Sequence, residues 1–251
     1  MTEQHEIFGP RELLGRVVGA IGALPVAAIS AVRHARMFHP RGMLFEAHLE
    51  PYASVAMDDV AARFTGHALV RLSGATSKAD AEHNEVLGIG MRISDRTITS
   101  ASPSKDDQDL LFATILSPLT MPFAPFFTRS DDFLENAYYG VAPFFVEGYG
   151  RVKIRLAPIA RSESHEGHRR ERLERAVQER RAVWMVEIRH TFGLRWDPVA
   201  KLVLDQTSAI DQEALRFDPF RTGRGIKPVG FVHAIRKYVY AASQRARPTH
   251  A

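Results

Sequence analysis

Residues 152–158, Val-Lys-Ile-Arg-Leu-Ala-Pro, alternate apolar and polar side chains along most of their length. Successive side chains of a strand point to opposite faces, so this period of two indicates a strand with one face in the core. Similar alternation, or a short apolar run, recurs along the chain. It predicts further strands over 45–50, 66–72, 85–93, 96–101, 110–113, 183–192 and 200–204.

Other segments have helical character. Residues 11–35 are rich in small and apolar residues with a break near Pro25, and residues 162–181 mix acidic and basic side chains as a solvated helix does. The Phe- and Pro-rich segment 116–145 is expected to form a helical cover over a hydrophobic cavity, although core packing explains its residues equally well. Together the patterns predict an α+β fold, an antiparallel β-barrel of about eight strands with flanking helices, in a single domain over residues 1–251.

The composition excludes several classes of site. The chain has 251 residues, of which 45% are hydrophobic and 25% charged, and it has no cysteine. Disulfides, thiolate-ligated haem, iron–sulfur clusters and cysteine zinc sites are therefore excluded. The formal net charge is only +4, and basic residues are interspersed with acidic ones, so no nucleic-acid partner is expected.

The N-terminal segment lacks the pattern of a signal peptide. A signal peptide has a basic start before an uninterrupted apolar run. Here acidic residues come first, and Arg16 and Pro25 interrupt the apolar residues 13–31. We expect an amphipathic helix over residues 1–35 that covers the core of a cytoplasmic protein. Peripheral contact of this helix with a membrane surface is the alternative.

The C-terminal segment 226–247 is predicted to be a helix that begins near Pro228, because proline is favoured in the first helical turn. On this helix Arg236 and Tyr240 are neighbours four residues apart. An arginine beside a phenol lowers its pKa from about 10 and favours the phenolate, a possible ligand for haem iron. Tyr238 would point about 160° away from Tyr240. An ordinary aromatic helix with a solvated arginine is the simpler alternative.

Three further short segments lie before this helix in the sequence, and their order along the chain is informative. Residues 36–42, Arg-Met-Phe-His-Pro-Arg-Gly, contain an Arg-x-x-His-x-x-Gly pattern, and residues 70–74, Val-Arg-Leu-Ser-Gly, contain Arg-x-Ser. Phe-Asp-Pro at 217–219 precedes the C-terminal helix. In this order the segments resemble those of the haem catalase superfamily, over roughly residues 36–247. The short chain resembles its small catalase-related members, which lack the long N-terminal arm and the C-terminal domain.

The resemblance implies a role for each matching residue. Tyr240 would be the axial ligand of the iron of haem b, supported by Arg236, and His39 would be the distal acid/base. Ser73 would accept a hydrogen bond from Nδ1–H of His39 and fix its tautomer. The residues that would face the haem propionates are Arg36, Arg71 and Arg247, with Arg245 as an alternative to Arg247.

One departure from the family concerns the distal pocket. The family places an asparagine on the segment after an Asp-Leu pair, and counting along the chain from Asp109 and Leu110 puts Thr114 at that position. A hydroxyl can hydrogen-bond peroxide, but it is shorter than an amide and can rotate. Thr114 is therefore the third candidate catalytic residue, beside His39 and Ser73, and weak dismutation is expected.

The resemblance implies a haem peroxidase that uses hydrogen peroxide or organic hydroperoxides with a small organic reductant, and that has weak catalase activity. Two alternatives remain open. The apolar segment 116–145 suggests a fatty-acid hydroperoxide isomerase of the allene oxide synthase type, and a non-enzymatic carrier of haem or an apolar ligand is the other. A homodimer is the expected assembly.

Overall fold

The computed structural model describes residues 42–52, 57–74, 84–159, 166–212 and 214–229. The strands within them are β1 (Met43–Pro51), β2 (Gly66–Gly74), β3 (Leu87–Ser94), β4 (Gln108–Ala113), β5 (Tyr138–Gly140), β6 (Phe144–Val146), β7 (Gly150–Pro158), β8 (Val183–His190), β9 (Asp197–Thr207) and β10 (Ile226–Pro228). The α-helices are α1 (Asp58–Ala61), α2 (Ala124–Phe127) and α3 (Arg169–Gln178), and the 3₁₀ helices are Ala62–Phe64 and Pro118–Phe123.

Eight of the strands close into an antiparallel barrel. Their order is β7-β5-β4-β3-β2-β1-β9-β8, and β8 pairs with β7 to complete the circle. The remaining two strands, β6 and β10, extend the sheet from β7. The predicted α+β class with an antiparallel barrel of about eight strands and flanking helices is therefore confirmed.

The barrel interior is filled by the inward side chains of each strand. On β7 the inward residues Val152, Ile154 and Leu156 are at most 1% exposed, whereas Lys153 and Arg155 between them are only partly buried. This is the alternation that the sequence predicts for residues 152–158. Each large apolar side chain that is fully buried in this way stabilises the fold by about 1.5–3 kcal/mol.

The outer face of the barrel is covered over β2, β3 and β4. All residues of β3 and β4 are buried, although only alternate side chains point into the barrel. Leu215 and Phe217, from the loop that follows β9, pack outside the barrel against Leu44 and Leu69. The chain after β9 thus lies across this side of the barrel.

Helix α3 docks on the barrel through its apolar face and one buried ion pair. Leu173, Ala176 and Val177 are buried. Arg169 Nη1 lies 2.8 Å from Glu85 Oε1, with both side chains at most 2% exposed, and it also donates to the Ser130 carbonyl at 3.0 Å. The helix predicted within 162–181 is confirmed over residues 169–178.

The predicted strand at 96–101 is wrong. These residues form a loop between β3 and β4. Arg92 donates to the Ala101 carbonyl at 2.8 Å, and Arg96 Nη2 donates to Ser104 Oγ at 2.8 Å. Side chains therefore provide hydrogen bonds to this loop. Ile98 packs against Leu44, Leu69 and Leu215 on the outer face of the barrel instead of joining a sheet.

The segment 116–145 is only partly helical. It forms the 3₁₀ helix Pro118–Phe123 and helix α2, then the strands β5 and β6. Pro122 and Pro125 lie within these short helices and lack the N–H groups that a longer helix requires. The prediction of a continuous helical cover is therefore wrong, and β5 and β6 were not predicted.

The start of the predicted C-terminal helix is also wrong. Residues Ile226–Pro228 form β10, an edge strand paired with β6. Proline is tolerated there because its missing N–H faces no partner strand. The main chain leaves the strand with a hydrogen bond from Val229 N to the Pro143 carbonyl at 2.8 Å. Residues 230–247 of the predicted helix, and the predicted helix 11–35, lie outside the described residues.

Candidate functional site

Arg71 and Ser73 lie on the outer face of β2, whereas the alternate residues Val70 and Leu72 point into the barrel. Their spacing of two residues places them on the same face. Across the sheet, Ser73 pairs with Gly88 of β3, which in turn pairs with Ala113 of β4. We call Ser73, Gly88 and Ala113 the small-residue row. It gives the buried outer face a strip with no bulky side chain.

Ser73 has a buried hydroxyl that forms no hydrogen bond with the described residues. Its side chain is 4% exposed, and its Oγ has no hydrogen-bond partner within the described part of the chain. Leaving a buried polar group unsatisfied costs about 1–3 kcal/mol. Such a group calls for a specific explanation, such as a catalytic role or a bound ion or water. Ser73 is therefore the first residue of the candidate site.

Arg71 is the neighbouring buried cation, 5% exposed. Its Nε donates to Gln212 Oε1 at 3.3 Å. A Cβ added to Gly42 would lie 2.7 Å from Arg71 Cζ, so the guanidinium lies against the backbone of Gly42. Gly42 is the last residue of the predicted segment 36–42. The structure thus brings the end of that segment into contact with the Arg-x-Ser segment.

The Phe-Asp-Pro segment reaches the same face. A Cβ on Gly90, the residue paired with Arg71, would come within 2.9 Å of the Phe217 ring. Asp218 N donates to Asp109 Oδ2 at 2.8 Å, which ties this segment to β4. Three segments that are far apart in the sequence therefore meet on the outer face of β2–β4.

A buried ion network holds this arrangement, and sequence reasoning missed it. Asp109 accepts from Arg92 Nε at 2.9 Å and from Arg221 Nε at 3.1 Å, and both Arg92 and Asp109 have fully buried side chains. Arg92 also donates to the Arg216 carbonyl at 2.6 Å and lies 5.7 Å from the centroid of the Phe217 ring. A carboxylate directly before the apolar run of a buried strand is the signal that could have revealed this network.

Thr114 is the residue that follows β4. Ala113, not Thr114, is in register with Ser73. Thr114 Oγ1 accepts from Leu87 N at 3.1 Å and lies 2.8 Å from Thr128 Oγ1. Because Thr128 donates its proton to the Ala124 carbonyl at 2.8 Å, the proton between the two hydroxyls comes from Thr114. The Thr114 proton is thus already used, although its predicted role stays a prediction.

The other predicted site residues cannot be compared with the structure. Arg36, His39, Arg236, Tyr240 and Arg247 are outside the described residues. Within the described ranges, no group of three or more His, Cys, Asp or Glu side chains could hold a metal ion.

The buried phenol of Tyr138 is not suited to ligation. Burial, together with the nearby Asp132 carboxylate, raises its pKa well above 10, and its hydroxyl donates to the Phe133 carbonyl at 2.8 Å. Burial also raises the pKa of Tyr149. Both side chains stay protonated at neutral pH, so neither supplies a phenolate.

Among the helices that the structure describes, none combines the length and apolar character needed to cross a membrane. No protein-family model and no curated protein sequence matches this chain.

Proposed function

We propose that the protein is a haem-dependent peroxidase that reduces hydrogen peroxide or organic hydroperoxides and has weak catalase activity. The observation that carries the proposal is the meeting of the three segments on one buried face. Gly42, the pair Arg71 and Ser73, and Phe217 come from segments that match the haem catalase pattern in order. Gly42 contacts Arg71, and Phe217 contacts Gly90, the residue of β3 that pairs with Arg71.

The residues present fit a planar cofactor with acidic side chains. The small-residue row has no bulky side chain of its own, Ser73 has a hydroxyl without a partner among the described groups, and Arg71 is a buried cation. In this proposal Arg71, Arg36 and Arg247 pair with the propionates. Tyr240, with Arg236 favouring its phenolate, would hold the iron of haem b. The haem would supply the redox chemistry for cleavage of the peroxide O–O bond.

The protein's own contribution is proton movement. In the sequence His39 comes three positions before Gly42, the residue that contacts Arg71. In this proposal His39 would take a proton from the hydroperoxide and return it to the oxygen that leaves as water or alcohol. The Ser73 hydroxyl accepts from Nδ1–H of His39 and so keeps Nε2 free as the base. The balanced reaction turns ROOH into ROH and water, with two electrons and two protons from an organic donor.

The neighbours of Ser73 support peroxidase chemistry over dismutation. Dismutation requires a second peroxide to be held and oxidised, and a rigid amide donor suits that task. Ala113, in register with Ser73, has no polar side-chain atom, and the Thr114 proton already goes to Thr128. A peroxidase needs only electrons from a donor, so it depends less on such a group.

A second candidate is the fatty-acid hydroperoxide isomerase. The observation that favours it is the exposed aromatic cluster Phe123, Phe126 and Phe127, which is 60%, 75% and 83% exposed. This cluster continues directly into Thr128, the partner of Thr114 at the end of β4. An apolar surface beside the candidate site would suit a long-chain hydroperoxide.

The test compares three reactions of the haem-loaded protein: oxygen release from hydrogen peroxide, oxidation of a dye donor, and epoxide formation from a lipid hydroperoxide. We expect dye oxidation to dominate, and we expect His39→Ala to lower it by about 10²- to 10⁴-fold. Ser73→Ala should also lower it, whereas the matched variant Ser94→Ala should not. Ser94 is buried on the same face of the sheet but at the other end of β3. Equal rates in the parent, His39→Ala and Ser73→Ala would refute the proposed roles, and dominant epoxide formation would favour the isomerase.

A further inference from the structure

The turn between β8 and β9 exposes two large apolar side chains. Phe192 is 95% exposed and Leu194 is 92% exposed, the highest values among the exposed large hydrophobic residues that the structure describes. We call residues 191–196 the hairpin tip. Side chains exposed to this degree contribute nothing to the core, so their apolar surface is available to a partner.

Cationic side chains lie beside the hairpin tip. Arg151, Lys153 and Arg155 alternate along the outer face of β7, and Lys153 pairs across the sheet with Arg189 of β8. We call these four residues the basic stripe. Arg195, within the hairpin tip, has a side chain that is 88% exposed.

Two carboxylates lie among these cations, and each is paired. Glu187 binds Arg155, with 2.5 Å between Oε2 and Nε, and Asp197 binds Arg195, with 3.1 Å between Oδ1 and Nε. Cations outnumber carboxylates on this face. The surface around the hairpin tip therefore has a positive field beside an apolar projection.

Trp196 fixes the hairpin tip against the basic stripe. Its ring centroid lies 4.3 Å from Arg155 Cζ, 4.6 Å from Arg189 Cζ and 6.5 Å from the centroid of the Tyr139 ring. Such cation–π contacts add stability and restrict the orientation of the side chains. The apolar tip and the cations are thus presented together at one end of the barrel.

We propose that the hairpin tip and the basic stripe dock the protein on an anionic lipid bilayer. Phe192 and Leu194 enter the boundary between headgroups and acyl chains, and the cations bind the anionic headgroups. This combination of buried apolar area and electrostatic attraction is how peripheral proteins bind membranes. The proposal is independent of the peroxidase chemistry and uses no residue assigned to it.

The aromatic cluster Phe123, Phe126 and Phe127 provides a contrast. It lies beside the end of β4, where Ala113 is aligned through Tyr139 with Arg155 of β7. Phe192 and Leu194 instead follow the end of β8, which pairs with the start of β7. Arg129 follows the cluster, but it lies near the carboxylates of Asp131 and Glu135. The cluster is apolar without an excess of cations, so it lacks the charge complementarity of the tip.

The two tryptophans make the docking measurable. Trp184 is fully buried in the barrel, whereas Trp196 lies at the base of the hairpin tip. Vesicles of phosphatidylcholine, with or without phosphatidylglycerol, are mixed with the full chain, and binding is measured by co-sedimentation. Brominated lipids then quench any tryptophan near the acyl chains. We expect binding only to the anionic vesicles, weakening with salt, and quenching that disappears in Trp196→Phe.

Three variants locate the contact. Phe192→Ser with Leu194→Ser should lower the partition coefficient by at least about tenfold. Arg151→Glu with Lys153→Glu should lower it by about tenfold. The control Phe126→Ser with Phe127→Ser should leave it unchanged. Thermal unfolding verifies that the variants are folded, which we expect because the altered side chains are on the surface.

Several outcomes would overturn the proposal. They are equal binding to neutral and anionic vesicles, unchanged binding by the hairpin-tip variant, loss of binding in the control variant alone, and absence of Trp196 quenching in bound protein. A parent that binds no vesicles but forms a dimer, which dissociates in the hairpin-tip variant, would assign the surface to a second copy instead.

Discussion

The two sides of the barrel differ in what covers their outer faces. Strands β3 and β4 are buried along their whole length on both faces, and β2 is buried from residue 68 onward. Strands β7 and β8 alternate between buried and partly exposed residues. We call these the covered side and the solvated side. The covered side holds the small-residue row and Arg71, and the solvated side holds the basic stripe.

The difference shows in the environment of the charges. The Arg92–Asp109 pair on the covered side is fully buried and has several further hydrogen bonds. The Arg155–Glu187 pair on the solvated side has 24% and 16% side-chain exposure. Buried charges are tolerated only when every partner is present, whereas water can replace a lost partner at the surface. The covered side should therefore be far more sensitive to substitution.

The largest effect is expected for Asp109→Ala. The change leaves Arg92 and Arg221 without their shared carboxylate, and breaking a buried ion pair costs about 3–5 kcal/mol. The control Glu187→Ala on the solvated side should cost less than about 1–2 kcal/mol, since its partner Arg155 can reach water. Urea unfolding of both variants measures the difference. Equal losses would show that the two sides do not differ as described.

A smaller effect is expected for Gly90→Ala. The new methyl group would overlap the Phe217 ring, and overpacking of this kind costs about 1–3 kcal/mol. If the overlap is the cause, combining the change with Phe217→Ala should cost less than the sum of the two single variants. Additive losses in this double-mutant cycle would place the strain elsewhere.

The two hydroxyls near the end of the covered side should respond differently. Thr114→Val removes the acceptor for Leu87 N–H and the donor to Thr128, so a loss of about 1–2 kcal/mol is expected. Ser73→Ala removes a buried hydroxyl with no partner in the described part of the chain, so the free energy of unfolding should not fall and should rise by up to about 1–3 kcal/mol. A large destabilisation by Ser73→Ala would mean that Ser73 is structural, and its assigned role would fail.

The smallest effect on stability is expected for a change of His48, which lies on β1 beside β9. Burial lowers its pKa, but hydrogen bonds to Asp205 at 2.8 Å and Glu50 at 3.2 Å outweigh burial, and the net pKa is raised above 6.5. A raised pKa in the folded state means that protonation stabilises the fold. The stabilisation is complete below the unfolded pKa of about 6.5 and is lost as the pH rises through the folded pKa.

Comparing His48→Gln with the parent tests this sign. At about pH 6 the variant should be less stable than the parent by a few tenths of a kcal/mol at most, because exposed ion pairs contribute little. At about pH 8.5 the two proteins should be equally stable. A difference that grows with pH would contradict the assignment.

The solvated side was the easier part to predict. Residues 152–158 alternate because one face of β7 meets water, and the strand was located within two residues at its start. On the covered side, 85–93 was predicted as a strand from its apolar character alone, because burial of both faces removes the alternation that would say which side chains point inward.

The candidate site was predictable only in part. The shared face of Arg71 and Ser73 follows from their spacing in a strand. The contacts of Gly42 with Arg71 and of Phe217 with Gly90 depend on strand register and on the path of the loop after β9, which no local pattern contains. The Asp109–Arg221 contact likewise joins residues 112 positions apart. Strand register, and not distance from Asp109 along the chain, decides that Ala113 is aligned with Ser73 through Gly88. The predicted role of Thr114 stays a prediction.

The central claim is that haem binds against the covered side through Tyr240. The most direct measurement is the absorption spectrum of the purified protein titrated with haem, for the parent, Tyr240→Phe and the matched control Tyr238→Phe. We predict stoichiometric binding with the spectrum of high-spin ferric haem ligated by a phenolate in the parent and in Tyr238→Phe, and loss or change of that spectrum in Tyr240→Phe. Absence of haem binding by the parent, or the same spectrum in all three proteins, would contradict the account.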